Sequence, residues 1–189
     1  MSGALAYQED YADYEIINGQ TYMMSRPSMN HVRIEKNIVE SFDRYLEGKR
    51  CEAILEQDVY FSEEDNFIPD VMIVCDPEIV KDDGIHGTPD LIVEILSPST
   101  ARKYKIDKKF KYEKYGVKEY WIVNPLDKSV EVYLRKDDKL ILDDIYMVYP
   151  DYEWKKLTED QKAAAKFEIK VSLYDDFVVK LEDIFARVK

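Results

Sequence analysis

The sequence predicts an α/β (α+β) fold: a mixed β-sheet flanked by helices, in the core order helix, strand, strand, strand, helix, strand, with extra strands toward the C-terminus. Three observations predict it. A stretch with apolar residues at helical spacing comes first. Three apolar runs follow, the second and third each carrying Pro-Asp near its start. A basic stretch of helical pattern then separates the third run from a fourth. Strands joined through a helix run parallel with a right-handed crossover, so the third and fourth should be parallel neighbours. The first three can pair as a meander.

Ahead of the core, Asn18-Gly19 stands between Glu15-Ile16-Ile17 and Thr21-Tyr22-Met23-Met24. Asn-Gly between apolar runs is a strong hairpin signal. The first helix spans about Ser28 to Glu47; Val32, Ile38, Val39, Phe42, Tyr45 and Leu46 form its apolar positions and Gly48 stops it. The three strands are Cys51 to Phe61, Phe67 to Cys75 and Asp90 to Leu96. The basic helix runs from about Ser99 to Tyr115 and ends at Gly116, and Lys118 to Val123 reads as a buried strand. Val130 to Leu134 and Leu140 to Val148 are further strands. Trp154 to Lys166 reads as a short helix, Phe167 to Leu173 as an edge strand and Leu181 to Val188 as a terminal helix. No repeat or linker interrupts the chain, so residues 1–189 read as one domain with a core at about 28–125.

Composition narrows the class. Hydrophobic residues at 46% and charged residues at 35% describe a globular chain able to bury a core, not a disordered one. Fifteen tyrosines suit half-buried sheet faces. No apolar stretch is long enough to span a membrane, and the acidic start of the chain is unlike a targeting segment. Cys51 and Cys75 are isolated; they read as core residues in a reducing, cytoplasmic setting. His31 and His86 are too few for a three-histidine metal site. The net charge of -12 opposes indiscriminate nucleic-acid binding, yet Ala101 to Lys118 carries eight Lys or Arg against two acids. That strip is either a solvated helix face or a phosphate-facing surface, with Arg102, Lys103 and Lys105 as the candidate nucleic-acid contacts.

The run Asp90-Leu91-Ile92-Val93-Glu94-Ile95-Leu96 reads as a buried central strand, and Glu94 interrupts it. A buried carboxylate is costly unless it is paired, hydrogen-bonded or metal-bound. Asp90, Ile92 and Glu94 share one strand face. A neighbouring strand that begins near Asp70 would add a second carboxylate and make an oxygen-rich site suited to a hard cation such as Mg²⁺. The plainer alternative is a strand glutamate paired with Lys or Arg, with Pro-Asp serving only as a turn.

These residues carry a resemblance. Ile68-Pro69-Asp70-Val71-Met72-Ile73-Val74, Pro89-Asp90-Leu91-Ile92-Val93-Glu94-Ile95-Leu96-Ser97-Pro98-Ser99-Thr100, Lys108, Tyr112, Gly116-Val117 and Glu119-Tyr120-Trp121 resemble the Uma-two family, classed with restriction endonucleases in the PD-(D/E)xK nuclease superfamily. Tyr14 to Gly19 and Pro27 to His31 are similar to the family's opening. The resemblance implies a restriction-endonuclease-like core. It implies a metal site for Mg²⁺ or Mn²⁺ made by Asp70, Glu94 and the Ile95 carbonyl. In the superfamily pattern a lysine follows the second acid by two residues; here Leu96 stands there. The family resembles members whose lysine has moved to the next helix, which implies Lys108. On a helical wheel Lys108 lies at the centre of a face bearing Ala101, Tyr104, Tyr112 and Tyr115, whereas Lys109 points about 100° away. Tyr104 departs from the Asp of many relatives.

The expectation is therefore a metal-dependent endonuclease acting on DNA, with Asp70, Glu94 and Lys108 catalytic. The alternative is a noncatalytic relative that keeps the fold as a nucleic-acid- or protein-binding module. His31 and Glu15 are accessory candidates, although a cap or surface role is the ordinary reading of His31. Glu35 and Glu40 read as solvated, and Tyr120 and Trp121 as packing residues. Double-strand cleavage favours two-fold symmetry, so a homodimer is expected, with the strands after Lys128 and the Trp154 segment as spare surface.

Overall fold

The computed structural model describes residues 14–97 and 103–189, with the backbone alone for 103–105. Asn18 and Gly19 both take positive φ, 52° and 72°, and turn β1 (Tyr14–Ile17) into β2 (Gln20–Met23). Helix α1 (Met29–Leu46) starts where the Ser28 side chain accepts the His31 N–H and buries Ile34, Ile38, Phe42 and Leu46. Val32, expected on that face, is exposed.

The expected first strand is two strands. β3 (Glu52–Leu55) and β4 (Val59–Ser62) are separated at Glu56, whose φ of 41° breaks the extended run. β5 (Asp65–Phe67), β6 (Val71–Val74), β7 (Val80–Lys81), β8 (Gly84–Ile85) and β9 (Leu91–Ile95) follow. The second helix, α2, spans Lys103–Tyr115: Lys103–Lys108 is a π-helical stretch and Lys109–Tyr115 is α-helical, ending at Gly116 with φ 92°. After it come β10 (Glu119–Asn124), β11 (Ser129–Lys136), β12 (Lys139–Met147), α3 (Asp151–Trp154), α4 (Glu159–Ala164), β13 (Glu168–Lys170), β14 (Val178–Lys180) and α5 (Leu181–Ile184). The expected single helix over Trp154 to Lys166 is thus two short ones, because Thr158 opens a new helix with a capping box to Gln161.

The architecture is a mixed α+β fold with its main sheet ordered β12-β11-β10-β9-β6-β3. β3, β6 and β9 form the anticipated antiparallel meander, and β9 runs parallel to β10 across α2. Of a second sheet, β2-β1-β5-β4-β8-β7, the sequence reading anticipated only the β1–β2 hairpin and, within its long first strand, β4. Alternation along the strands sorts the core into two layers. Val71, Ile73, Leu91, Val93 and Trp121 pack with α1 and the C-terminal elements. Met72, Val74, Ile92, Tyr120 and Ile122 pack with Tyr112 of α2 and with Ile17, Val59, Phe67 and Ile85 of the second sheet. Glu94 lies in the alternation of this second layer. Another buried carboxylate, Glu119, is structural: it accepts from Trp121 Nε1 at 2.6 Å and from the Ser172 backbone and hydroxyl.

Cys51 and Cys75 form a disulfide, which corrects their reading as isolated core thiols. The pairing of Glu52 with Val74 sets the two cysteines side by side at the ends of β3 and β6. That adjacency depends on strand register, which a separation of 24 residues does not reveal. The cross-link removes freedom from the unfolded chain worth roughly 3 kcal/mol. The cysteines therefore no longer argue for a reducing compartment. Among the described residues no helix is long and apolar enough to cross a membrane.

Candidate active site

β6 and β9 are antiparallel neighbours, and the register that sets Val71 against Val93 brings the start of one to the end of the other. Asp70, immediately before β6, thus meets Ile95: its Oδ2 accepts the Ile95 backbone N–H at 2.5 Å. Its Oδ1 lies 3.0 Å from His31 Nε2, at the start of α1. His31 is buried with Asp70 and does not stand on the surface as a simple cap residue. Burial opposes its protonation, but the Asp70 hydrogen bond and the charges of Asp70, Glu35 and Glu94 outweigh it and raise its pKa.

Glu94 is fully buried. Its Oε1 accepts from Lys108 Nζ at 2.7 Å and from the Tyr112 hydroxyl at 2.6 Å, while Oε2 is buried and has no hydrogen-bond partner among the described residues. Burial pushes its pKa up to about 7; the Lys108 charge pulls the other way, and Asp70 and Glu15 add to the rise. Lys108 is itself completely buried and also forms an ion pair with Glu15, which reaches in from β1. Glu15 Oε1 accepts the Ile68 N–H at 3.2 Å. Residues 108 and 112 stand one helical turn apart and converge on one carboxylate oxygen. The same spacing recurs three residues on: Lys111 Nζ and the Tyr115 hydroxyl both meet Asp65 Oδ2, at 2.6 and 2.5 Å.

Asp70, Glu15, His31, Glu56, Ile95, Leu96 and Ser97 line a cleft of roughly 640 Å³. The β2–α1 segment around Arg26 also lines it, as do Leu126 and Lys128 of the β10–β11 turn. Two acids were missed or misread. Glu35 is buried and not solvated; it sits one turn after His31, a spacing that could have revealed it. Glu56 was hidden inside an apparently continuous strand. Glu40 is exposed as expected. Asp90 lies away from the cleft, accepting from the Cys75 N–H and Lys118 Nζ. Of the strip, Arg102 and the Lys103 and Lys105 side chains lie outside the described residues. Lys111 and Lys118 are held by Asp65 and Asp90, so part of the local positive charge is already neutralised.

Burial and the charges of Glu56 and Asp70 raise the Glu35 pKa from 4.5 to about 7, against the pull of His31. A carboxyl whose pKa is higher folded than unfolded binds more protons in the native state between those two values. Stability then falls as pH rises from about 4.5 to about 7. Thermal melting of the metal-free chain across this range should show a shallower fall for Glu35→Gln than for the unaltered protein. Parallel curves would show that Glu35 does not titrate there.

The family model described as "Putative restriction endonuclease", Uma2, matches residues 4–156. The chain belongs to the Uma2 family. A curated relative, "Uncharacterized protein slr1290" of Synechocystis sp., is 30% identical over 129 residues, covering 66% of this chain and 67% of that protein. Among solved structures, a nuclease from Anabaena variabilis assigned to DUF820, itself named as putative, superposes with a TM-score of 0.70. It is 19% identical, over 94% of this chain and 92% of that one, which shows the fold and confirms the restriction-endonuclease-like core. The type IIG restriction endonuclease BpuSI matches at a TM-score of 0.40 and 12% identity, over 68% of this chain and 15% of that one. That likeness carries no argument.

The donor set has the chemistry of a hard-cation site. Mg²⁺ is commonly held by one or two carboxylates, with carbonyls and waters completing its shell. Among the described residues no group of three or more His, Cys, Asp or Glu side chains is gathered into a cage. Asp70 and the bare Glu94 Oε2 meet the smaller requirement.

Proposed function

We propose that this Uma2 protein is a Mg²⁺- or Mn²⁺-dependent endonuclease that hydrolyses phosphodiester bonds in DNA, acting as one unit over residues 1–189. The observation that carries the reading is the buried Oε2 of Glu94, unpartnered among the described residues, whose other oxygen is fixed by Lys108 and Tyr112 while Asp70 lies close enough to raise its pKa. Asp70, Glu94 and the Ile95 carbonyl would hold the cation. When bound, it would lower the pKa of a water and offset charge on the scissile phosphate.

The chain's own residues supply the rest. His31 and the Ile95 N–H fix the two Asp70 oxygens, so that carboxylate needs no reorganisation on binding. Tyr112 and Lys108 do the same for Glu94. Lys108 brings a positive charge to within 2.7 Å of Glu94, where it opposes the negative charge that grows as the P–O bond breaks. Arg26 and Lys128 at the cleft lining, together with Arg102, Lys103 and Lys105, are cations that can face the DNA backbone. Charge reversal at Arg102, Lys103 and Lys105 should weaken DNA binding and flatten its salt dependence. Unchanged binding would make the strip a solvated face.

A second reading, a noncatalytic binding module, is favoured by Leu96. The superfamily's lysine position is occupied by a side chain buried in the apolar layer beside Ile92 and Tyr112. Incubation of DNA of varied sequence with the protein, with Mg²⁺ or with EDTA, separates the two. Cleavage that EDTA abolishes supports the nuclease; binding without cleavage in either condition supports the module. Pairing of two copies would suit double-strand cleavage, and Ile141, Leu142 and Ile145 on the edge strand β12 are exposed apolar surface for it. Light scattering at micromolar concentration decides this, a monomer counting against the dimer.

A further inference from the structure

Lys108 stands between two carboxylates that come from different sheets. Glu94 arrives on β9 of the main sheet and Glu15 on β1 of the second. All three side chains are buried to within 1%. An ammonium has three donors and no acceptor. Facing a single buried carboxylate, it gains most by closing over both oxygens, because an unsatisfied buried oxygen is costly. Here its hydrogen bond to Glu94 falls on Oε1, and among the described residues the buried Oε2 accepts none. Glu15 is anchored where it can pull the other way, since its Oε1 also accepts the backbone N–H of Ile68, two residues before Asp70.

We propose that Glu15 is a positioning residue that draws the Lys108 ammonium off Glu94 and so keeps Glu94 Oε2 open to a divalent cation. The inference rests on the metal site proposed above. Without the Glu15 charge, Lys108 closes over Glu94 and competes with the cation for it. Glu15→Gln removes the charge but keeps the length of the side chain and an oxygen for the Ile68 N–H, so the backbone beside Asp70 stays held.

The test is a double-mutant cycle read by Mn²⁺ titration calorimetry on the full chain, with thermal melting to check folding. Glu15→Gln should weaken Mn²⁺ binding by about tenfold, and the same change made on top of Lys108→Met should weaken it by less than about threefold. Should Glu15→Gln fail to fold, Glu15→Asp takes its place, keeping the charge while shortening its reach; it too should weaken binding only when Lys108 is present. An equal loss with and without Lys108 would mean that Glu15 acts only through its own charge, and overturns the proposal. Unchanged binding in a folded Glu15→Gln overturns it as well. If the unaltered protein binds no Mn²⁺, the metal reading falls, and this inference with it.

Discussion

Glu94→Gln should abolish metal-dependent DNA cleavage, by roughly a thousandfold or more, equivalent to about 4 kcal/mol of transition-state stabilisation. Glutamine fills the same space and its oxygen can still accept from Tyr112 and Lys108, so the strand should stay in place. What it removes is the anionic oxygen at the Oε2 position. Asp70→Asn should do the same, because the amide keeps one acceptor for the Ile95 N–H and loses the charge. Melting and circular dichroism establish that each variant is folded. The pH dependence has a definite sign. With its pKa raised to about 7, Glu94 holds a proton below that value, and a cation must displace it. Mn²⁺ binding and cleavage should therefore both strengthen as pH rises through 7. Cleavage surviving in folded Glu94→Gln would remove Glu94 from the chemistry.

Lys108→Met should stop turnover while Mn²⁺ still binds, and Lys109→Met should change neither. The adjacent lysines occupy unlike surroundings. Lys108 is buried against Glu94 and Glu15; Lys109 is partly exposed, with its Nζ 3.8 Å from Glu113. Removing Lys108 leaves two buried carboxylates short of a counter-charge, so the variant should also lose stability, by about 3–5 kcal/mol. Removing Lys109 disturbs a surface pair worth under about 1 kcal/mol. Single-turnover cleavage, Mn²⁺ titration and urea unfolding read the three effects separately. Full activity in Lys108→Met with loss in Lys109→Met would reverse the assignment.

Much of the main sheet was legible in the sequence because each of its signals is local. Ser28 and Gly48 bracket the α1 that packs on it, and β6, β9 and β10 are apolar runs of the length of buried strands; in the second sheet the Asn18-Gly19 turn is as local a signal. Asp70 and Glu94 stood out because a carboxylate in or beside such a run demands a partner. Lys108 was singled out by the family resemblance, and its tyrosine face preferred it to Lys109, although the 100° wheel does not describe the π-helical turn before it; the spacing to Tyr112 falls in the α-helical part, where the wheel holds. What was not legible depends on register and on short elements. The second sheet is built from strands of two to four residues, too short to show alternation. The Cys51–Cys75 bond and the contact of Glu15 with Lys108 join segments whose adjacency only the assembled sheets define.

Helix α2 has a consequence for how relatives of this protein could be recombined. One pair of its residues, Lys108 and Tyr112, grips Glu94 in the main sheet; the next pair, Lys111 and Tyr115, grips Asp65 in the second sheet, where Lys111 also meets Asn18 at the hairpin turn. The hairpin that delivers Glu15 is thus latched to the same helix that delivers Lys108. A chimera that inherits β1, β2 and α2 from different parents would join a latch to the wrong catch, even with every strand of the main sheet intact. The hairpin and α2 are the smallest transplantable unit, and a fragment trimmed to residues 28–125 would leave half of that unit behind.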